Sequence, residues 1–379
     1  MTLFDDPTAD REPADDHERR ALVALSLVPG VGPGRVRSLL SAFRTASDVL
    51  RAPSSRLVRA DGVGRQTADA IASWDDWAAV DDQFRKADRV GARVVDFGDE
   101  EYPSLLRQIY DPPPFLWVRG RLTEIDGLAV AVVGTRKVSD AGTRAAEAFG
   151  RGFAEAGATV VSGLAYGIDI AAHRAALEGG GRTIAVLGSG VDRIYPSRHG
   201  NTVRRILEDD AGAVISELPL GATPDAPNFP RRNRIVSGMS LATVVVEARE
   251  KGGALLTAGL ALEQNRDVFA VPSSIFAQAQ GTNRLIQQGA ALAISALEVL
   301  DAVAPQRSSR TDAVLEAEPP PDLNPVESRL VGALGSDPKP LDTVCRDAGV
   351  DASTALVYLL QLEFRGLVRQ LAGKQFYRP

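Results

Sequence analysis

The chain has 379 residues, 44% hydrophobic and 24% charged, with a formal net charge of −6. That is long for one core and points to two or three domains of a soluble globular protein. No apolar run reaches the ~18 residues of a membrane helix, and a single cysteine, Cys345, excludes an internal disulfide and argues against a cysteine-based metal site.

Residues 1–19 form an acidic, proline-containing arm that is expected to be disordered. MTLFDDPTADREPADD has no apolar segment of the kind a signal peptide carries, so the protein is read as cytoplasmic. Residues 1–20 carry seven acidic and three basic side chains, and residues 301–323 carry five and two. These segments hold −7 of a total of −6, so the rest of the chain sums to +1. The folded part is near neutral, and a local basic patch can dominate its field. Acidity overall does not exclude a nucleic-acid partner; it argues against coating DNA by bulk charge.

Residues 20–80 read as a helical module. "LVPGVGPGRVRSLL" and "RADGVGRQTADAIA" each place a glycine turn, Gly30-Val31-Gly32 and Gly62-Val63-Gly64, ahead of an amphipathic helix. This is the pattern of a helix-hairpin-helix, SAM-like pair. The glycines permit a tight turn and present backbone N–H groups at a helix N-terminus, where a phosphate can dock. Arg35, Arg37 and Arg65 would be the contacts. The same pair can equally pack as a plain helical unit or hold a protein partner.

Residues 81–300 read as an extended Rossmann-like domain. Residues 92–122 connect through strand-like pieces, "ARVVDF" and "FLWVRG", around the rigid "DPPP". Apolar runs then recur: "LAVAVVG", "ATVVSG", "TIAVLGSG", "AVISE", "ATVVVEA", "DVFAVP" and "ALAIS", separated by helical stretches. Continuous apolar runs alternating with helices predict a doubly wound, mostly parallel α/β sheet over roughly 123–300. Residues 301–323 read as a Pro/Ser/acid-rich linker. Residues 324–379 read as three helices and a β-hairpin, a winged helix. Its third helix, "ASTALVYLLQLEFR", has one terminal arginine and is a poor groove reader.

Ligands of open α/β sheets bind at the carboxyl ends of the strands. A dinucleotide site is not supported, because "GSGVDR" lacks the third glycine and does not open the first βα unit. No P-loop and no G-x-S-x-G elbow occurs. The histidines are His17, His173 and His199. Asp169 and His173 share a helix face at i, i+4 and admit a proton-transfer or a structural reading. With no metal-ligand cluster, no cofactor and no catalytic set are expected. What converges is phosphate-binding equipment: the cations Arg136, Arg231, Arg232, Arg234 and Lys251, the short donors Ser139, Ser162, Asn233 and Thr257, and glycines such as Gly163 that allow close backbone approach. Arg grips phosphate oxygens as a fork and Lys as a point charge. Cations spread over several strand ends suit an extended polyanion, and Phe229 suits stacking on a base. The competing reading pairs some of these arginines with Glu217 or Glu247.

The ordered motifs "VVGTRKVSDAG", "VSGLAYGIDIAAHRAAL", "AVLGSGVDRIYPSRH", "SELPLG", "NFPRRNRIVSGMS", "VVVEAREKGGALLTAGLALEQNRDVFAVP" and "GTNRLIQQGA" make the chain resemble the DNA-processing protein A family (DprA, also called Smf) over about residues 20–300, and more loosely over the winged helix. The resemblance implies a homodimeric, non-catalytic protein that binds single-stranded DNA and helps load the recombinase RecA onto it in natural transformation. By matching motif, the DNA contacts would be Arg136, the arginines of "FPRRNR" and Lys251. Two positions depart from the family pattern: Gly252, where serine is usual, and Ser273, where glycine is usual. The other readings are a phosphoribohydrolase-like nucleotide enzyme, whose "PGGxGTxxE" loop is only distantly echoed here, and a pure protein adaptor.

Overall fold

The structure, a computed structural model, describes residues 15–208, 210–277, 280–305, 323–335, 338–365, 367–371 and 374–378. The chain divides into two compact units, Met1–Pro305 and Gln306–Pro379. Most of the arm and of the linker named above falls outside the described residues. Where the two meet described residues, their limits differ from expectation. Residues 16–19 are the first turn of the helix Asp16–Leu27, because Asp15 caps it by accepting from the Glu18 N–H. The helix Ala296–Val303 runs past residue 300 because its apolar face, with Ala296, Val299 and Leu300, is buried.

The helical module contains Asp16–Leu27, Pro33–Ala42, Ala46–Arg51, Ser54–Leu57, Arg65–Ala72 and Trp77–Val90. Gly30 and Gly62 hold φ of 81° and 71°, which a side chain would resist. Arg35 brackets the two turns: its guanidinium donates to the carbonyl of Gly62 (3.0 Å) and to that of Gly30. The arginine expected to face DNA is therefore spent on joining the hairpins. Arg37 lies over the Tyr110 ring at 4.9 Å, so it too is engaged within the fold. Arg65 is exposed.

A nine-stranded sheet follows: β1 (Ala92–Asp96), β2 (Phe115–Gly120), β3 (Ala129–Val133), β4 (Thr159–Ser162), β5 (Thr183–Val186), β6 (Gly212–Ser216), β7 (Ala242–Val245), β8 (Asp267–Ala270) and β9 (Ala291–Leu292). Their order is β1-β2-β6-β5-β4-β3-β7-β8-β9. All seven recurring apolar runs are strands, parallel from β6 to β9. The connecting pieces are strands of the same sheet, with β1 antiparallel to β2 and β2 to β6. The loop from β1 to β2 holds only the short helix Ser104–Arg107, too little for a parallel crossover.

Alternation within β3 defines two cores. Val130 and Val132 face the helices Asp140–Glu155, Ile168–Glu178 and Ala296–Val303. Ala129, Ala131 and Val133 face Asn228–Gly238 and Gly253–Glu263. A third core joins the helical module to the sheet through Phe115, Trp117, Val191 and Leu220. Buried Gln83 completes that joint, its amide donating to the Leu220 carbonyl (3.3 Å) and accepting from the Leu220 N–H (2.7 Å).

The second unit has the helices Pro325–Ala333, Leu341–Ala348 and Ala352–Phe364, and a small sheet of β10 (Lys339–Pro340), β11 (Arg369–Leu371) and β12 (Gln375–Tyr377) in the order β10-β12-β11. This is a winged helix. Its third helix exposes Leu356, Val357 and Leu360. Among the described residues no helix is long and apolar enough to cross a membrane.

Gln83→Ala strands a buried donor and acceptor on Leu220. It should cost about 2 kcal/mol, read as a lower urea midpoint; an unchanged midpoint would show that the joint does not depend on this pair.

Candidate nucleic-acid interface

The strand order reverses between β3 and β7, so the crevice of the domain opens at their carboxyl ends. Leaving β3, Gly134 passes so close to the Ile168 side chain that a Cβ would lie 2.3 Å from its Cγ1. The loop then turns outward and exposes Arg136 and Lys137. Ser139 ends it as the N-cap of Asp140–Glu155, its hydroxyl accepting from the Gly142 N–H (3.0 Å) and donating to Glu247 Oε2 (2.7 Å). A Cβ on Gly142 would stand 1.9 Å from that carboxylate. The helix N-terminus that would attract a phosphate is thus filled by the protein's own anion. Ser139 serves Glu247 rather than a ligand.

After β4, the Ser162 hydroxyl is buried and donates to the Val132 carbonyl (2.6 Å). It ties two strands together and cannot meet DNA. Gly163 follows, and then Asp169, whose carboxylate accepts from the N–H groups of Gly163 (3.2 Å) and Ala165 (3.3 Å). Burial pushes the Asp169 carboxyl above its usual range, and Arg232 opposes that shift. Asp169 and His173 do not form the expected pair. His173 Nδ1 is 2.6 Å from Thr183 Oγ1, whose hydroxyl donates to the Val160 carbonyl (2.8 Å). The threonine proton is therefore committed, so Nδ1 donates. Burial, aided by Arg232, lowers the His173 pKa to about 3, so the ring is neutral and structural.

The arginines of "NFPRRNR" separate. On a helix successive side chains turn by about 100°, and here each enters a different environment. Arg231 is exposed, with an Nη 3.7 Å from where a Cβ on Gly32 of the helical module would stand. Arg232 is 5% exposed and donates to the Val186 carbonyl. Its guanidinium lies against Gly163 so closely that a Cβ there would come within 2.0 Å of it. Its Nε has no partner among the described residues. Burial lowers its pKa to about 10, with Asp169 acting in the opposite sense. Arg234 is 9% exposed along its side chain and bridges Asp111 (3.1 Å) and Glu217. The single clamp of three arginines is therefore corrected: one faces solvent, one underlies the crevice, and one neutralises a buried acid. The pairing with Glu217 holds for Arg234.

Beyond β7, Lys251 is exposed and Gly252 caps Gly253–Glu263 without a side chain. Thr257 is buried in that helix, where its hydroxyl reaches the Gly253 carbonyl at 3.5 Å. Together these loops bound an open cleft of about 480 Å³. Of the expected residues, Arg136, Gly163, Phe229, Arg232, Asn233, Lys251 and Thr257 line it; Ser139, Ser162, Arg231 and Arg234 do not. Phe229 is half-buried, with the Arg136 guanidinium 5.0 Å from its ring centroid. Two further cations, Lys137 and Arg249, line the cleft, as does Asp169. Lys137 stands in the same "GTRKVS" loop and Arg249 in "AREKGG", so proximity to a strand end was the available signal.

A family model described as DNA recombination-mediator protein A matches residues 93–304, one described as the DprA winged helix domain matches 314–374, and a SAM-like helix-hairpin-helix tandem matches 23–73. Protein Smf of Synechocystis sp. is 33% identical over 395 residues, 95% of this chain and 99% of that one. Protein Smf of Escherichia coli is 40% identical over 284 residues, 74% of this chain and 76% of that one. The X-ray structure of DNA processing protein A from Streptococcus pneumoniae matches with a TM-score of 0.64 and 33% identity, over 74% of this chain and 96% of that one.

Arg234→Ala leaves Glu217 buried without its cation and should cost about 3–5 kcal/mol in urea unfolding, whereas Arg231→Ala should stay within about 0.5 kcal/mol of wild type. Equal effects would contradict the division of the cluster. The His173 pKa is lower in the folded chain than in the unfolded one. The unfolded state therefore takes up the proton first, and stability falls as pH drops from about 6.5 towards about 3. His173→Gln should flatten the dependence of the urea midpoint on pH across that window relative to wild type; parallel curves would refute the assignment.

Proposed function

The chain belongs to the DNA recombination-mediator protein A family, and from that premise we propose that it binds single-stranded DNA without sequence preference in this cleft and presents it to RecA. The observation that carries this reading is the meeting of four exposed cations, Arg136, Lys137, Arg249 and Lys251, with buried Arg232 and the Phe229 ring around one open crevice. Beneath them buried Arg232 adds its positive charge to the floor of the cleft. Cations on separate loops match successive phosphates better than one. Aromatic stacking needs an unpaired base, which favours a single strand over a duplex.

The protein carries out no reaction of its own in this reading. The neutral, buried His173 supports that, since its ring is not placed as a proton carrier to solvent. A strand held by its phosphates and by base stacking keeps hydrogen-bonding edges available for pairing, which suits delivery to a recombinase in transformation or recombination. Homodimerisation is part of the proposal. The open edge at β9 exposes Leu292 and the nearby Ile294 and Leu297, apolar surface that a second copy would cover. The site of action is the cytoplasm, where RecA works on incoming strands. The helical module and the winged helix serve as accessory domains on either side of the Rossmann domain in sequence.

Fluorescence anisotropy with a ~30-nucleotide oligo(dT) should show log K falling with log salt with a slope near −3, for four or five neutralised phosphates at about −0.7 each. Arg136→Ala/Lys251→Ala should weaken binding and make the slope shallower by about 1.4. A duplex of the same length should bind more weakly than the strand. Absent or salt-independent binding would reject the reading and leave the adaptor role.

A further inference from the structure

The loops after β4 and β5 carry rings and cations that the cleft does not use. Tyr195 is 44% exposed, and among the described residues its hydroxyl has no hydrogen-bond partner. Its ring centroid lies 6.1 Å from that of Phe229, with 42° between the planes. Phe229 in turn lies under the Arg136 guanidinium. Three residues after Tyr195, Arg198 lies 5.4 Å over the ring of Tyr166, from the loop after β4. A cation and two rings, Arg136, Phe229 and Tyr195, therefore lead out of the cleft in contact order, and Arg198, three residues further along the chain, lies on Tyr166.

We propose that Tyr195, backed by Phe229, is a stacking platform for a base of the strand next to the cleft, and that Arg198 neutralises the accompanying phosphate. The inference rests on the single-strand reading above and adds a subsite and a direction to it, from the β7 loop towards the β5 loop. An inserted base needs about twice the 3.4 Å rise of stacked DNA between two rings. At 6.1 Å and tilted, Tyr195 and Phe229 leave no such slot. The base must lie on the open face of Tyr195. Every base has such a face, so the contact is tolerant of sequence. Tyr195 is 44% exposed and backed by the Phe229 ring, as a platform requires.

The test uses the full chain and oligo(dT) carrying 2-aminopurine at successive positions. Wild type should quench the probe at a restricted set of positions. Tyr195→Ala should lose that quenching and bind roughly tenfold more weakly, with an unchanged salt slope because no charge is removed. Tyr195→Phe should keep both quenching and affinity. An abasic strand of equal length should bind wild type more weakly than oligo(dT), and Tyr195→Ala should weaken it little further. If Tyr195→Ala retains wild-type affinity and quenching while Arg136→Ala/Lys251→Ala loses binding, the platform is refuted and the cleft stands. If wild type binds no single strand, the parent reading fails and the platform fails with it. Should Tyr195→Ala melt early, Tyr195→Phe and the abasic strand on wild type decide: equal binding of abasic and normal strands overturns the proposal.

Discussion

The guanidinium of Arg232 packs closely against Gly163, and the cleft depends on that contact. It joins the helix Asn228–Gly238 to the loop after β4, and through the Val186 carbonyl to the end of β5. A buried cation is costly unless other groups compensate it. Asp169 supplies the opposing charge, while the same carboxylate holds the N–H groups of Gly163 and Ala165. The two ions therefore fix one another's loops. Any residue larger than glycine at position 163 would force the guanidinium to shift.

The same economy governs the rest of the strand edge. Carboxylates of the protein fill positions where anions would otherwise dock: Glu247 at the N-terminus of Asp140–Glu155, and Asp169 in the loop after β4. Each trades a place for a free phosphate for a fixed loop shape. What remains outward are the long cations on the rim, Arg136, Lys137, Arg249 and Lys251, which under the proposed function would meet a polyanion without prior desolvation. Binding of that kind is electrostatic, salt-sensitive and indifferent to sequence. It fits a body whose charge away from the acidic segments sums to +1.

The accessory parts are joined by different means. The helical module shares a hydrophobic core with the sheet and is locked by the Gln83–Leu220 pair and by Arg19 on Asp99 at 2.8 Å. Its glycine turns are bracketed by Arg35, so its cations are partly committed before any ligand arrives. The winged helix has its own core around Leu330, Leu359 and Phe376. Its third helix shows solvent an apolar stretch where a groove reader would carry cations.

The sequence by itself determined the architecture. Seven apolar runs are seven strands; six are largely buried, because a strand covered by helices on both faces must be apolar, and that pattern is local, while β9 is an exposed edge. The glycine turns and the winged helix were legible for the same reason. The cationic loops at Arg136 and Lys251 were legible because strand ends mark the ligand edge. Only the tertiary structure decided the fate of individual polar side chains. Ser139 finds Glu247, Ser162 finds Val132, Arg234 finds Glu217 and Asp111, and His173 finds Thr183 rather than Asp169. Each of those partners is distant in sequence or stands on another element. A hydrogen bond is satisfied by whatever the fold brings within about 3 Å, which no spacing along the chain specifies. Three arginines in four residues look like one cluster in sequence; the helix points them to solvent, to the cleft floor and to a buried acid.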